Sequence, residues 1–352
     1  MRVLIVDDSP VTRMLLRAVL EGEGFEVHEA GGGDEALQLL TQLTPDIITM
    51  DVHMPGMNGY EATERILELH GLPVVILSAS VDHQASATAM RALEAGALAV
   101  LEKPSAPTSD DFPDRIEELL RTLRTMSQVR IGRRKRRTET TGLANAPTLV
   151  EQAAARSPQL VAIAASAGGP MAVKALLQAL APQPWPVVLV QHIAPGFLPS
   201  FPDWLASLTP MQVRIAEHGQ SLVPDVLYLA PDGQHLGFAA NRSVLLDDGP
   251  PEEHVRPAAN HLFRSVARHF GRRAIAVQMS GMGRDGVQGL TELHRVGGLT
   301  LVQEPSTAVI DSMPKAAIAQ GVANWVLPPE GIAETLNEIA AQMVAVNGIQ
   351  GR

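Results

Sequence analysis

Short apolar runs alternate with helical periodicity along the first part of the chain. Arg2–Val6 is an apolar run that ends at Asp7 and Asp8, and apolar residues then recur at helical spacing until two glycines interrupt them. Four further apolar runs predict strands, at residues 25–30, 46–50, 73–77 and 97–101. Strands that are apolar on both faces and separated by helices indicate a parallel, doubly wound sheet.

The second part of the chain repeats this alternation. Apolar runs at residues 160–165, 186–190 and 274–279 each end at a turn, and helical periodicity follows the first and third of these turns. We therefore predict an α/β chain with two doubly wound parallel-sheet domains, of which the second is the larger and has three αβα layers. Ligands of such sheets bind at the carboxyl ends of the strands.

A polar, basic stretch separates the two parts. Residues 126–157 carry seven basic and two acidic side chains, a net charge of +5 in a chain whose net charge is −10. We predict a first domain at 1–122, a basic, flexible linker at 123–156 and a second domain at 157–348. The acidic chain and the absence of aromatic residues within the basic run argue against nucleic-acid binding.

Composition narrows the class of protein further. The 352 residues are 45% apolar, which suits two hydrophobic cores and excludes a disordered chain. There is no cysteine, so disulfides, cysteine-bound metals and thiol nucleophiles are excluded. The opening run MRVLIVDD is too short for a signal peptide, and no apolar run approaches the ~18 residues of a membrane span. We expect a cytoplasmic protein without membrane insertion.

Polar side chains follow the predicted strands of the first domain. Asp7 and Asp8 follow the first strand, Asp51 the third, Ser78 the fourth and Lys103 the fifth. Three carboxylates at one sheet edge repel one another unless a cation balances them, and oxygen ligands in a partly hydrated site favour Mg²⁺. An aspartate beside such an ion can accept a phosphoryl group. Each residue alone is also typical of a turn or cap.

This part of the chain resembles a response-regulator receiver domain, a flavodoxin-like fold, in its segments VDDS, MDVHMPGMNG, PVVILSA and LEKP. The resemblance implies that Asp51 is the phosphoacceptor and that a histidine kinase supplies the phosphoryl group. It also implies that Asp8 binds Mg²⁺ directly, Asp7 binds it through water, and Asp51 and the backbone carbonyl of His53 complete the ligand set.

The same resemblance assigns two switch residues of the receiver. Ser78 would be the switch hydroxyl and Lys103 the lysine that contacts the phosphoryl oxygens. The chain departs from the family pattern at Val100, where an aromatic residue is usual.

Three chemically active residues follow strands of the second domain. Ser166 opens the turn Ser-Ala-Gly-Gly-Pro, His192 follows the second strand, and Asp285 lies in the turn after the strand at 274–279. Taken singly, they are more typical of a phosphate-binding or structural glycine-rich turn, a packed histidine and a helix cap. Parallel strands bring all three to one sheet edge, as a nucleophile, its base and the residue that orients the base require. Their chain order and the lack of G-x-S-x-G disfavour an ordinary lipase fold.

This second part resembles the catalytic domain of the chemotaxis receptor protein-glutamate methylesterases. The resemblance lies in the segments IAASAGGP, QHIAPGF, YLAPDGQHL, HVRPAANHLFRSVA, MSGMGRDGVQGL and SMPKAAI. It implies that Ser166 is the nucleophile, His192 the base and Asp285 the residue that holds the imidazole. Backbone N–H groups of Ala167 and Met282 would form the oxyanion hole.

The resemblance also implies an activity and its partners. Phosphorylation would activate hydrolysis of glutamate γ-methyl esters, and deamidation of glutamines, on methyl-accepting chemotaxis receptors through a glutamyl-enzyme, which resets receptor sensitivity. Mg²⁺ serves the receiver, and the hydrolysis needs no cofactor. Departures from the family pattern occur at Ala167 and Leu198, where threonine is common, and at residues 257–260, which read PAAN where Pro-Ser-Val-Asp is usual.

Two alternative functions, neither of them enzymatic, stay open from the sequence. A receiver followed by a basic linker also occurs in DNA-binding response regulators, although the second part is acidic and lacks a helix-turn-helix pattern. A catalytically silent adaptor that switches on phosphorylation would keep the fold without the chemistry. A reactive Ser166 discriminates between the enzyme and the adaptor.

Overall fold

A computed structural model describes residues 1–78, 91–129, 149–193 and 198–350, with the side chains of 346–350 excepted. The chain divides into two compact units, Met1–Arg133 with Ala194–Phe201 and Arg134–Ile193 with Pro202–Arg352. No helix in the described ranges is long and apolar enough to cross a membrane.

The first unit contains a five-stranded parallel sheet in the order β2-β1-β3-β4-β5. Its strands are β1 (Arg2–Val6), β2 (Glu26–Ala30), β3 (Ile47–Asp51), β4 (Val74–Ser78) and β5 (Ala99–Glu102). Its described helices include α1 (Pro10–Gly22), α2 (Gly33–Leu39), α3 (Gly59–His70) and α4 (Phe112–Met126). The central strands β1, β3 and β4 are buried on both faces, as their unbroken apolar runs predict.

Local sequence signals start and stop these helices. Ser9 caps α1, its hydroxyl accepting the Thr12 N–H, and Asn58 caps α3 by accepting two N–H groups. Gly71 ends α3 in the left-handed region, with a φ of 63°. Both caps lie in the loops that follow β1 and β3, so they set where each helix begins after the strand ends that carry the acidic residues.

The second unit contains a seven-stranded parallel sheet in the order β14-β13-β12-β6-β7-β9-β8 and an antiparallel hairpin, β10-β11. Its strands are β6 (Leu160–Ala165), β7 (Val187–Gln191), β8 (Gln212–Ile215), β9 (Val226–Leu229), β10 (His235–Phe238), β11 (Val244–Asp247), β12 (Ala274–Gln278), β13 (Leu299–Gln303) and β14 (Trp325–Leu327). The order reverses direction at β6, which has β12 on one side and β7 on the other. That position is where doubly wound sheets place their ligand crevice.

Helices cover both the sheet and the hairpin of this unit. The described helices from residue 149 onward include α5 (Leu149–Ala155), α6 (Gly169–Ala179), α7 (Phe201–Ala206), α8 (Ala259–His269), α9 (Val287–Arg295), α10 (Ser312–Ala319) and α11 (Pro329–Gln350), with 3-10 turns at Leu198–Ser200, Gly271–Arg273 and Pro305–Thr307. The core on one face of the sheet joins α8, α9 and the hairpin, with Phe238, Leu262 and Phe263 fully buried. The predicted fold class, two doubly wound parallel-sheet α/β domains, is confirmed.

Two described helices extend into the segment predicted as a linker. Helix α4 continues to Met126, four residues past the boundary placed at 122, because Leu123 and Met126 extend its buried apolar face. At the other end, Leu149–Ala155 is helical, and Ala153 and Ala154 are buried. The cluster of basic residues between these helices lies outside the described residues.

Candidate active site and phosphorylation site

An ion-pair network joins three strand ends of the first unit. Lys103 directly follows β5, and its Nζ lies 2.7 Å from Asp7 Oδ2 and 2.9 Å from Asp51 Oδ2. Asp7 and Asp51 are 1% and 5% exposed, whereas Asp8 is exposed. The structure therefore brings the predicted acidic residues and the predicted lysine together. Asp51 and Ser78 are the last residues of β3 and β4, so each strand extends one residue further than the sequence pattern predicts.

Burial and the opposite charges of the network shift the pKa values of its members in opposite directions. Burial raises the pKa of Asp51, the nearby Asp7 carboxylate adds to that rise, and the ammonium of Lys103 opposes it without cancelling it. The pKa of Lys103 is raised as well, because its hydrogen bonds to both aspartates outweigh the burial that would lower it. Lys103 therefore stays an ammonium and balances the paired carboxylates.

The acidic cluster has the donor set that Mg²⁺ prefers. Carboxylate oxygens of Asp7, Asp8 and Asp51 all lie within 4.8 Å of one another. The exposed Asp8 leaves the cluster open to water, which suits an ion that keeps part of its hydration shell. His53 lies two residues beyond the end of β3, and within the described ranges its carbonyl oxygen accepts no hydrogen bond. These residues fit the predicted ion.

The other receiver residues lie beside this cluster. Ser78 is buried, and its carbonyl oxygen accepts the Lys103 backbone N–H at 2.8 Å. The serine and the lysine therefore lie side by side at the carboxyl ends of the paired strands β4 and β5. Val100 is a buried residue of β5. A Cβ on Gly59, at the start of α3, would lie 2.0 Å from the carbonyl oxygen of Asp51, so only glycine allows this helix to begin so close to Asp51.

Three strand ends of the second unit carry the predicted catalytic residues. Ser166 directly follows β6, His192 directly follows β7, and Asp285 lies between β12 and α9. His192 Nε2 is 3.0 Å from Asp285 Oδ2, although the pair is not aligned as a hydrogen bond. Both side chains are largely buried, 13% and 4% exposed. The backbone N–H of His192 donates to the carbonyl oxygen of Ala165, the residue before Ser166, at 2.9 Å.

The carboxylate of Asp285 lies at the start of a helix. Its Oδ2 accepts the Ala259 N–H at 2.6 Å and its Oδ1 accepts the Asn260 N–H at 2.8 Å. These are N–H groups of the first turn of α8, which have no partner within the helix itself. A carboxylate that accepts two N–H groups at the positive end of a helix is stabilised as an anion and held in one orientation. That is the role expected of a residue that orients a catalytic imidazole.

The turns after β6 and β12 lie against each other. Ser166 N–H donates to the Ser280 carbonyl at 2.9 Å, and a Cβ on Gly281 would lie 2.7 Å from Ser166 Cβ. Among the described residues, neither the Ala167 N–H nor the Met282 N–H donates a hydrogen bond. Both N–H groups are therefore without a hydrogen-bond partner in the described ranges, as the predicted oxyanion role requires.

A second group of titratable residues lies beside the start of α8. His235, Glu252 and His261 have ligand atoms within 4.8 Å of one another. His235 Nδ1 accepts the Ala258 N–H, and its other nitrogen lies 3.0 Å from the Pro250 carbonyl. The rings of His235 and His261 are stacked at 4.6 Å, so their nitrogen lone pairs run side by side and do not converge on one ion. Both histidines and Glu252 thus have partners within the fold.

Sequence reasoning missed one residue of this site. Asn260, which is 2% exposed, belongs to the PAAN segment that departs from the family pattern, and its side chain contacts the turn that carries Asp285. The signal available in the sequence was an asparagine within an otherwise apolar helix start. Its partners are more than 25 residues away along the chain, so the contact itself leaves no local pattern.

Comparison with known proteins agrees with this geometry. The family model described as CheB methylesterase matches residues 161–336, and the response regulator receiver domain model matches residues 3–112. A Hahella chejuensis protein named protein-glutamate methylesterase/protein-glutamine glutaminase 3 is 45% identical over 97% of this chain and 99% of its own length. A protein from Syntrophus aciditrophicus, named protein-glutamate methylesterase/protein-glutamine glutaminase 1, is 40% identical over 97% of this chain and 99% of its own length.

A solved structure resembles the second unit. The crystal structure of the Thermotoga maritima CheB methylesterase catalytic domain superposes with a TM-score of 0.51 at 35% identity. It covers 52% of this chain and 99% of the Thermotoga domain. The likeness therefore spans the whole of that catalytic domain.

Proposed function

Because the chain belongs to the CheB methylesterase family and carries a response regulator receiver domain, we propose that it hydrolyses glutamate γ-methyl esters of chemotaxis receptors through Ser166, His192 and Asp285. The same residues would deamidate glutamine side chains. The observation that carries the proposal is the 3.0 Å approach of His192 Nε2 to Asp285 Oδ2 at the sheet edge where Ser166 begins its turn.

In the first half of the reaction, Ser166 Oγ attacks the carbonyl carbon of the γ-ester while the imidazole of His192 takes the hydroxyl proton. Since Nε2 faces Asp285, Nδ1 is the nitrogen left to receive it. The buried carboxylate of Asp285 then stabilises the imidazolium, and the N–H groups of Ala167 and Met282 stabilise the oxyanion. The C–O bond to the methoxy group breaks, and His192 protonates it to give methanol.

In the second half, water hydrolyses the glutamyl ester of Ser166. His192 removes a proton from the water, the carbonyl carbon gains a hydroxyl group, and the bond to Ser166 Oγ breaks with return of the proton to the serine. The receptor side chain leaves as a carboxylic acid, which releases its proton to water and becomes a carboxylate. For a glutamine substrate the first leaving group is ammonia, and the later steps are identical.

The receiver would control this activity through Asp51. We propose that its carboxylate accepts a phosphoryl group from a histidine kinase, that Lys103 neutralises the phosphoryl oxygens, and that the Ser78 hydroxyl donates to them. Bound Mg²⁺ supplies charge neutralisation for the transferring group, and Asp7, Asp8, Asp51 and the His53 carbonyl would hold it.

Three further elements belong to the proposal. The receiver would occupy residues 1–122 and the methylesterase domain residues 157–348, with the basic segment 123–156 joining them. The chain would act in the cytoplasm, where a histidine kinase and the signalling regions of receptors meet it. Hydrolysis would restore receptor charge and so reset receptor sensitivity.

The decisive experiment is methanol release from methylated receptor membranes, with wild type and Ser166→Ala, each with and without Mg²⁺ and a small phosphodonor. We expect release that requires Ser166 and rises with the phosphodonor, and Asp51→Asn should keep basal release but lose the rise. A Ser166→Ala protein that retains more than half of the activity would refute the triad. Absence of release in every condition would favour the adaptor reading.

A further inference from the structure

Three parallel strands of the second unit end in the same dipeptide, Val-Gln. They are β7, β12 and β13, and their last residues are Gln191, Gln278 and Gln303. These side chains are 7%, 0% and 0% exposed. A buried amide must find hydrogen-bond partners to offset the loss of water. The partners of two of these amides lie in the catalytic turns.

The amide of Gln191 joins the nucleophile to the base. Its Nε2 donates to the carbonyl of Ser166 at 2.8 Å and to the carbonyl of His192 at 2.9 Å. Ser166 and His192 follow different strands, 26 residues apart in the chain. One NH₂ group therefore bonds the main chains of both residues and limits how far the two turns can separate.

The amide of Gln278 holds the third catalytic residue. Its Nε2 donates to the main-chain carbonyl of Asp285 at 2.9 Å. Gln303 differs, because its Oε1 accepts the Ser280 N–H and its Nε2 lies 3.3 Å from the Thr307 hydroxyl. The direct bonds to triad residues thus come from Gln191 and Gln278.

Glycines in the catalytic turns leave room for these two amides. A Cβ on Gly169, three residues after Ser166, would lie 2.7 Å from Gln191 Oε1. A Cβ on Gly286, next to Asp285, would lie 2.4 Å from Gln278 Oε1. Real Cβ atoms do not approach that closely, so the glycines and the glutamines fit one another.

We propose that Gln191 is a positioning residue of the methylesterase reaction, whose amide sets the separation of Ser166 and His192, and that Gln278 does the same for Asp285. The inference rests on the proposed function. Proton transfer from Ser166 to His192 requires hydrogen-bond reach between two separate turns, and a displacement of ~1 Å can lower a rate ~100-fold. Neither amide contacts the reacting atoms, so each acts through the main chain of its partner.

A glutamine elsewhere in the same unit provides a matched control. Gln183 precedes β7, at the opposite end of that strand from Gln191, and it is 3% exposed. Its Nε2 also donates two hydrogen bonds, to the Ala181 carbonyl at 2.7 Å and to Asn337 Oδ1 at 3.0 Å. In the described residues the Oε1 atoms of Gln183 and Gln191 both lack a partner. The two residues match in type, burial and number of bonds, and they differ in which turn they hold.

The test compares Gln191→Met, Gln278→Met and Gln183→Met in the full chain. For each we would measure Tm, kcat and KM of methanol release from methylated receptor membranes, and the rate at which a fluorophosphonate probe labels Ser166. Gln191→Met and Gln183→Met should lower Tm by similar amounts. Gln191→Met should lower kcat and the labelling rate by ~10- to 100-fold with KM changed less than ~3-fold. Gln278→Met should lower kcat, whereas Gln183→Met should keep it within ~2-fold of wild type.

The outcomes separate this inference from the proposed function. A wild-type chain that releases no methanol and is not labelled at Ser166 contradicts the proposed function itself. An active wild type with Gln191→Met at the kcat of Gln183→Met overturns the positioning role. If Gln191→Met does not fold, the isosteric Gln191→Glu, which removes donors without removing volume, should show the same loss of kcat. A full kcat in that variant would likewise overturn the inference.

Discussion

Asp285 caps the start of α8, and Asn260, in the first turn of α8, caps the start of α9. The Asp285 carboxylate, just before α9, accepts the N–H groups of Ala259 and Asn260 in the first turn of α8. In return, Asn260 Oδ1 accepts the N–H groups of Gly286 at 3.0 Å and Gly289 at 3.1 Å, at the start of α9. Both side chains are almost fully buried. The exchange joins α8 to α9 and fixes the carboxylate that faces His192.

Substitution of Asn260 should therefore affect both stability and turnover. Asn260→Ala leaves two buried N–H groups without an acceptor, which should cost about 2 kcal/mol of unfolding free energy. Because the Asp285 turn loses its anchor, kcat should fall by about tenfold or more, with a smaller change in KM. Urea unfolding and methanol-release kinetics measure the two effects.

Asn260→Asp is the control for this prediction. Its carboxylate keeps an oxygen that can accept both N–H groups, and the family resemblance places an aspartate at this position. We expect activity close to that of the wild type. An alanine variant as stable and active as the aspartate variant would show that the two caps do not position Asp285.

Gly281 lies between Ser166 and the buried Met313. A Cβ at this position would lie 2.0 Å from Met313 Sδ and 2.7 Å from Ser166 Cβ. We predict that Gly281→Ala lowers kcat about 100-fold, because the added methyl group must displace the serine. Methanol release measures the loss, and fluorophosphonate labelling of Ser166 should slow in parallel.

A second substitution distinguishes displacement of Ser166 from overpacking of the core. Gly281→Ala with Met313→Ala removes the contact at the methionine but keeps the contact at Ser166. Stability should recover relative to Gly281→Ala, whereas activity should not, and Met313→Ala alone provides the baseline. Recovery of activity in the double variant would mean that the methionine, and not the serine, was displaced.

The strands and the charged residues at their ends could be predicted from the sequence. The side-chain hydrogen bonds that fix the turns at those ends could not. Apolar runs located β6 to the residue, and charge or nucleophilicity identified Asp51, Lys103 and Ser166. Gln191 was read only as the end of a strand, because a neutral amide has no chemical signature and its partners are main-chain atoms of distant turns. The boundary at 122 stays a prediction, and the helix that crosses it ends at Met126, where its buried apolar face ends, because a helix continues as long as its apolar face packs.

Lys103 competes with a divalent cation for the same carboxylates. Its ammonium lies within 3 Å of oxygens of both Asp7 and Asp51. We predict that Lys103→Ala binds Mg²⁺ about tenfold more tightly, because three clustered carboxylates then lack a neutralising charge. The variant should also accept phosphoryl groups from a small phosphodonor more slowly, since the incoming oxygens lose their cation.

Isothermal titration with Mg²⁺ tests this prediction directly. Lys315→Ala provides a control, because Lys315 is a mostly exposed lysine that pairs with Asp311 at 2.7 Å outside the receiver. Its removal should leave the Mg²⁺ affinity unchanged. Equal affinity of the Lys103→Ala and wild-type proteins would mean that the ion does not use Asp7 and Asp51.

Acid should destabilise the second unit through His261. Burial lowers the pKa of His261 below its ordinary value of about 6.5, and the stacked His235 lowers it further, while Glu252 and Asp247 oppose the shift. The folded chain therefore holds His261 neutral where the unfolded chain protonates it. Its contribution to stability is complete above about pH 6.5 and is lost as the pH falls from there toward the folded-state pKa.

Removal of the titrating ring should flatten this pH dependence. His261→Phe keeps an aromatic ring against His235 and cannot be protonated, so its unfolding free energy should fall less than that of wild type between pH 7.5 and pH 5. All three tryptophans, Trp185, Trp204 and Trp325, lie in the second unit, so their fluorescence during urea unfolding reports on it. Glu252→Gln should change the slope in the opposite direction, because it removes a charge that raises the pKa of His261. Parallel pH profiles for wild type and His261→Phe would show that this ring does not set the acid sensitivity.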